Sequence, residues 1–183
     1  MNEIQNPLCF LFVFLLIESL PFITLATDSL DITSGLNTLP LLVEKITGDT
    51  TIGIVYNPLN STSASDAHNI KAMIDAGEKT GIKLPGRGKL SAILVSVNEL
   101  GKLSRARIAF LTPGLEAYFA NINTATSAAS ILTITTDIDC VRAAKCIIGI
   151  ETKPNLTIYY SKSAADSAKI EFSQSFSMLV KQP

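Results

Sequence analysis

51-TIGIVYNP-58 followed by 60-NSTSASDAHNIKAMIDAGEKTGIKL-84 is the stretch on which the reading of the fold turns. The first piece is rich in β-branched residues and bounded by Gly48 and Pro58, the pattern of a buried strand. The second opens on Asn, Ser and Thr, residues whose side chains cap a helix start. Ala67, Ile70, Ala72, Met73, Ile74 and Ala76 supply an apolar face, and Asp66, Asp75 and Glu78 look like its solvated side. Gly77 weakens the end of this helix and Gly81 marks its stop. A further apolar run, 90-LSAILVSV-97, reads as a second buried strand. Strand, capped helix and strand make one βαβ unit.

Working outward, 29-SLDITSGLNTLPLLVEKIT-47 reads as a loop leading into a helix. Leu39, Leu42, Val43 and Ile46 recur at helical spacing, and Pro40 stands near the start. Downstream, 98-NELGKLSRA-106 is a turn or short helix, and 107-RIAFLT-112 is a third strand stopped by Pro113-Gly114. The stretch 115-LEAYFANINTATSAAS-130 predicts a helix with Leu115, Tyr118, Phe119 and Ile122 on one face. A fourth strand, 131-ILTITT-136, follows. The pattern then changes. 146-CIIGIE-151 and 155-NLTIYYS-161 are β-rich and separated only by 152-TKP-154, which favours an antiparallel hairpin. 162-KSAADSAKIEF-172 and 173-SQSFSMLVKQ-182 read as a short Ala-rich helix and a second helical turn or tail. The expected fold is α/β: a single domain with a mixed, largely parallel sheet flanked by helices, ending in a late β-hairpin.

The start of the chain has a different character. LCFLFVFLLI at 8–17 is too short to span a bilayer but suits the core of a secretory signal. Thr24 and Ala26 form a small-x-small cleavage pattern. We therefore expect a signal peptide at 1–26 and a mature domain at 27–183. Cys9 lies within the apolar run and lacks the small flanking residues of a lipoprotein box. Cleavage removes Glu3 and Glu18 and no cation, moving the formal charge from −1 to +1. A chain so near neutrality has no basic stripe to neutralise phosphates, so no nucleic acid is expected. It gives no electrostatic help towards acidic substrates or membrane surfaces.

Cleavage leaves two cysteines, Cys140 and Cys146, with five residues between them. A structural zinc site wants four ligands in close-set pairs. Asp137 and Asp139 are near, but the single histidine, His68, lies on the first crossover helix. A redox pair wants C-x-x-C at a helix start, and the spacing here is longer. A structural disulfide fits an oxidising compartment, with 141-VRAAK-145 looping back. Closing so small a ring removes about 2 kcal/mol of unfolded-state entropy, enough to stiffen a loop. No G-x-S-x-G elbow is present, and His68 reads as a surface helix residue. The loop 86-GRGK-89 matches neither a Walker nor a dinucleotide pattern and reads as a solvated turn. The Asn-x-Ser/Thr signals at Asn60 and Asn155 carry no assigned modification. No catalytic, metal or cofactor site is expected. In open α/β sheets ligands gather at the carboxyl ends of strands. Thus 57-NPLNSTSASD-66, 112-TPG-114 and 136-TDID-139 are positioned to rim a crevice, although helix capping explains the Ser/Thr run equally well.

The order of motifs resembles the YfiR/HmsC-like family of small exported bacterial proteins. The resemblance rests on 52-IGIVYNP-58 before a capped helix, and on 131-ILTITT-136 with an aspartate just after it. It rests also on the pair 146-CIIGIE-151 and 155-NLTIYYS-161, and on the ending 163-SAADSAKIEFSQSFSMLVK-181, which is similar to an Ala-rich helix, an apolar link and a final amphipathic helix. The resemblance implies a periplasmic, non-enzymatic α/β domain that restrains an inner-membrane diguanylate cyclase by binding its periplasmic part. It also implies a disulfide just before the late strand, where Cys140 and Cys146 lie. The chain departs from the family in lacking cysteines for a mid-chain bridge and ahead of the third strand.

The expected function is therefore an exported binding or regulatory protein. Its partner would be a membrane sensor or cyclase, with a homodimer as the self-association to consider. Phe176, Met178, Leu179 and Val180 and the Cys140–Cys146 loop are candidate contributors to that contact, although core packing accounts for the helix residues more economically. The alternative comes from 52–84, which also resembles the opening of one lobe of an ABC-importer substrate-binding protein. That resemblance implies a small ligand instead of a protein partner.

Overall fold

The structure, a computed structural model, describes residues 48–77 and 89–183. The expected signal peptide, the helix expected within 29–47 and residues 83–88 of the basic loop lie outside the described residues. The first strand, β1 (Thr50–Tyr56), leads to α1 (Ser61–Ala76), then β2 (Leu90–Ser96), a 3-10 turn at Leu100–Arg105 and β3 (Ile108–Leu111). A second 3-10 turn, Glu116–Tyr118, enters α2 (Phe119–Ala128). There follow β4 (Leu132–Thr135), α3 (Ile138–Arg142), β5 (Ile148–Glu151), β6 (Thr157–Tyr160), α4 (Lys162–Ser167) and α5 (Gln174–Ser177). The six strands form one sheet in the order β2-β1-β3-β4-β5-β6. β1 to β5 run parallel, and β6 returns antiparallel to β5. This is the α/β fold with a mixed, mostly parallel sheet that the sequence predicts.

The strand register explains which residues are core. Leu94, Ile54, Phe110, Ile134, Ile148 and Tyr160 stand in one row across the sheet. Their side chains point to one face, where they meet Ala67, Ile70 and Ile74 of α1 and Ala164 and Ala165 of α4. The next row, Val95, Val55, Leu111, Thr135, Gly149 and Tyr159, points the other way. It contributes to a second cluster with Leu103, Leu115, Ile122, Val141 and the two cysteines. Alternation along a strand sends successive side chains to opposite faces, and both faces here are covered. That is why β1 and β3 read as near-continuous apolar runs, while β4 alternates Leu132 and Ile134 with the buried Thr133 and Thr135.

Two glycines admit the covering elements on the second face. A Cβ at Gly53 would lie 2.8 Å from Leu103 Cδ2, and one at Gly149 would lie 2.8 Å from both Ile138 Cδ1 and Val141 Cγ2. A side chain at Gly53 would force Leu103 to shift, and one at Gly149 would force Ile138 and Val141 to shift.

Four expectations are corrected. α1 stops at Ala76, with Gly77 at φ 58°, one glycine earlier than Gly81. Asp66 is buried, not on the solvated side, because Ser63, Asp66, Ala67, Ile70 and Ile74 form one inward stripe; Ala72 and Ala76 are exposed. Residues 138–142 form a helix in place of the simple loop expected, and β5 starts two residues after Cys146. The final amphipathic helix that the family resemblance implies is a single turn, Gln174–Ser177. Beyond it Tyr160 N–H donates to Lys181 O and Lys181 N–H to Ile158 O, both 2.9 Å, so the chain runs extended beside β6. Those strand-type bonds occupy the backbone groups that a longer helix would need.

Candidate functional site

In this strand order β1 sits between β2 and β3, and the connections after β1 and β3 leave on opposite faces of the sheet. The loop after β1 climbs into α1, whose apolar stripe joins the first cluster. The loop after β3 reaches Leu115 and α2, which pack in the second. Loops diverging from adjacent parallel strands open a crevice at their carboxyl ends, the topological switch point of such sheets. The register places Val55, Leu111 and Thr135 side by side, so the three expected rim segments emerge on the same edge. The structure thus brings 57–66, 112–114 and 136–139 together.

Asn57 and Asn60 stand at the inner wall, backed by the buried Ser63 and Thr112. Asn60 caps α1, its Oδ1 accepting the Ser63 N–H at 3.0 Å. Asn57 Oδ1 accepts the Leu59 N–H at 3.0 Å, which turns Leu59 outwards, 88% exposed at the mouth. Ser63 and Thr112 are buried with their hydroxyls 2.6 Å apart. Gly114 abuts Asn60: a Cβ there would meet Asn60 Nδ2 at 2.5 Å, and Gly114 sits at φ 78°, so the position suits only glycine.

On the β4 side, Asp137 caps α3 by accepting from Asp139 N–H at 3.0 Å and Cys140 N–H at 3.4 Å. Its own N–H donates to Thr135 Oγ1 at 3.0 Å. Desolvation holds the Asp137 carboxyl above its ordinary range, and the negative charges of Glu116 and Asp139 push the same way against the two backbone donors. Asp139 is partnered by Arg142 at 2.8 Å. Viewed along the edge, the opening of the 16-residue α1 carries no acidic residue in its first turn, while the β4 side carries carboxylates. One end of the crevice is therefore positive through the helix dipole and the other negative.

Cys140 and Cys146 are joined as a disulfide, Cα atoms 5.3 Å apart, both fully buried behind the β4 rim. Lys145 N–H donates to Cys140 O at 3.0 Å, and Asn123 Nδ2 donates to Lys145 O at 3.1 Å, tying the ring to α2. His68 is exposed on α1. Among the described residues no group of three or more His, Cys, Asp or Glu is arranged to hold a metal ion. No helix among them is long and apolar enough to cross a membrane. Of the four C-terminal contact candidates, Phe176 is core. It stacks on Phe172 at 4.7 Å and meets Tyr160 edge-on at 5.8 Å. Val180 is partly buried, whereas Met178 and Leu179 are exposed. Sequence reading missed the Ser63–Thr112 contact, since the two lie 49 positions apart. The one local signal was a buried-stripe position for Ser63, three before Asp66 and four before Ala67.

No family model matches the chain, and no curated protein matches it. Solved structures share its fold. The ABC domain from Streptococcus pneumonia, crystallised in complex with L-Trp, superposes with a TM-score of 0.59 at 13% identity, covering 83% of this chain and 61% of that one. A conserved domain protein from Vibrio cholerae superposes with a TM-score of 0.59 at 11% identity, covering 82% and 59%. The chain thus spans about three-fifths of the length of these structures, and at such identity the likeness is one of fold.

Proposed function

We propose that this domain is an exported small-ligand-binding protein, built like one lobe of an ABC-importer substrate-binding protein, that receives its ligand in the β1/β3 crevice. The observation that carries the reading is that the connections after β1 and β3, adjacent parallel strands, leave on opposite faces of the sheet. Such a topological switch point, rimmed here by Asn57, Asn60 and Asp137, is where sheets of this order take small molecules. The opposed polarity of its two ends favours a compact ligand bearing both an anionic and a cationic group. The fold likeness to a domain solved with L-Trp makes amino acids the first class to try.

The test is a thermal-shift screen of the purified protein against the proteinogenic amino acids, L-tryptophan included, followed by calorimetric titration of any that respond. A ligand at a hundred times its Kd adds about 2.7 kcal/mol of stability, a shift of several degrees in a domain of this size. Flat melting curves across the set would remove amino acids as the class, and flat curves across a wider metabolite set would remove the reading.

A second reading, contact with the periplasmic part of a membrane sensor as the YfiR/HmsC-like resemblance implies, is favoured by one observation. Met178 and Leu179 are exposed, at 75% and 63%, beside the edge strand β6. Affinity capture from membranes with wild-type and Met178→Asp/Leu179→Asp protein separates the two. A sensor-type protein lost by the variant supports contact through this patch.

A further inference from the structure

The hydroxyls of Ser63 and Thr112 belong to a relay whose direction the geometry determines. Thr112 Oγ1 lies 3.0 Å from Val55 O, a carbonyl that only accepts, so the Thr112 O–H donates to it. With its hydrogen spent, Thr112 Oγ1 accepts from the Ser63 O–H at 2.6 Å. Ser63 Oγ in turn accepts the Asn57 N–H at 3.0 Å. The chain runs Asn57 N–H to Ser63 to Thr112 to Val55 O. It begins and ends on the backbone where β1 runs out, having crossed to α1 and β3 on the way. Both hydroxyls are buried, and neither hydrogen is presented to the crevice. Asn57 and Asn60, held through this relay and through the cap to Ser63 N–H, shape the loop carrying Pro58 and Leu59.

We propose that Ser63 and Thr112 are positioning residues that lock the β1–α1 loop, residues 57–60, in one shape at the crevice mouth, without touching ligand themselves. The inference deepens the small-ligand reading and rests on it for the consequence in binding, but the lock is measurable without any ligand. A loop fixed before binding loses less freedom when ligand arrives, which raises affinity. The Asn57 N–H is half-buried and held by Ser63 Oγ, so Ser63→Ala opens it to water and strips the amide of protection.

The experiment is residue-resolved hydrogen exchange on the full protein. Ser63→Ala, and the volume-conserving Thr112→Val, should each speed exchange of the Asn57 amide about tenfold or more while amides in β4 and β5 stay as in wild type. Ser63→Thr and Thr112→Ser, which keep the hydroxyl, should restore protection. Calorimetry with L-tryptophan, or with whichever amino acid shifts the wild-type melting curve, should show affinity about tenfold weaker in the alanine and valine variants. Unchanged Asn57 exchange in both variants, or loosening spread equally over β4 and β5, overturns the lock. Affinity intact despite a deprotected Asn57 overturns the positioning role. Wild-type protein that binds no probe, with Asn57 still deprotected in the variants, sinks the ligand reading and leaves the lock standing.

Discussion

The two faces of the sheet are closed by different means. On the first, α1 runs 16 residues and lays Ala67, Ile70 and Ile74 along β1 and β2 in one stripe, with the short α4 and α5 covering the β5–β6 end. On the second, the cover is a six-residue 3-10 turn, the ten-residue α2 and the five-residue α3. Elements that short lie below the length at which a helix holds itself in water. They are held instead by close approach over Gly53 and Gly149, by the Asp137 cap and by the Cys140–Cys146 ring. Where a helix is long, hydrophobic area does the work and no single atom is decisive. Where it is short, a few specific contacts carry it, and these sit next to the crevice rim.

The sharpest way to break the contrast starts on the first face. Ile70→Ala empties a fully buried site and should cost about 3 kcal/mol in chemical denaturation, with the second-face disulfide still formed. On the second face, replacing Cys140 and Cys146 together by alanine should cost about 2 kcal/mol. The loss should appear as faster hydrogen exchange around α3, with α1 protection unchanged. An equal loosening of α1 would mean the ring supports the whole domain. Gly149→Ala should cost about 1.5 kcal/mol, because two branched side chains must give way to the new Cβ. Gly101→Ala, where nothing lies within 4 Å, should change stability by less than about 0.5 kcal/mol. Equal effects at the two glycines would contradict the packing described for α3.

A pH-dependent effect concerns Asp137. Asp137→Ala removes the α3 cap and should cost about 1 kcal/mol, whereas Asp137→Asn keeps it and should be slightly more stable than wild type at neutral pH. The folded Asp137 pKa lies above the ordinary aspartate value of 3.8, so over that window the folded state holds more protons than the unfolded one. Stability from this group therefore rises as pH falls through the raised value towards 3.8. The gap between the Asp137→Asn variant and wild-type protein should close over the same window, and melting curves at stepped pH measure it.

Much of this architecture was legible because parallel strands buried on both faces declare themselves as apolar runs between Gly, Pro and capping residues. β1, β2, β3, β4 and the hairpin fall where composition puts them. The rim segments were legible too, since Asn60, Gly114 and Asp137 stand at strand exits. What escaped was set by distance or by competition. Asp66 looked solvated because carboxylates usually are, yet it occupies the helix stripe that turns inwards. α3 escaped because five residues carry little periodicity, although Asp137 followed by Ile138 and Val141 is a cap and a one-turn apolar pair. The final amphipathic helix implied by the resemblance is cut to one turn because the edge of β6 claims Lys181.

By itself, then, the amino-acid order determined the elements and their alternation, because turn chemistry and burial periodicity are local. It also supplied two cysteines close enough to meet. The tertiary structure alone decided the 2-1-3-4-5-6 strand order, which loops share an edge, and that Ser63 meets Thr112 across 49 positions. Those depend on which strands find one another in space, and a hydrogen bond between hydroxyls leaves no trace in a sequence until the two strands that bring them together are paired.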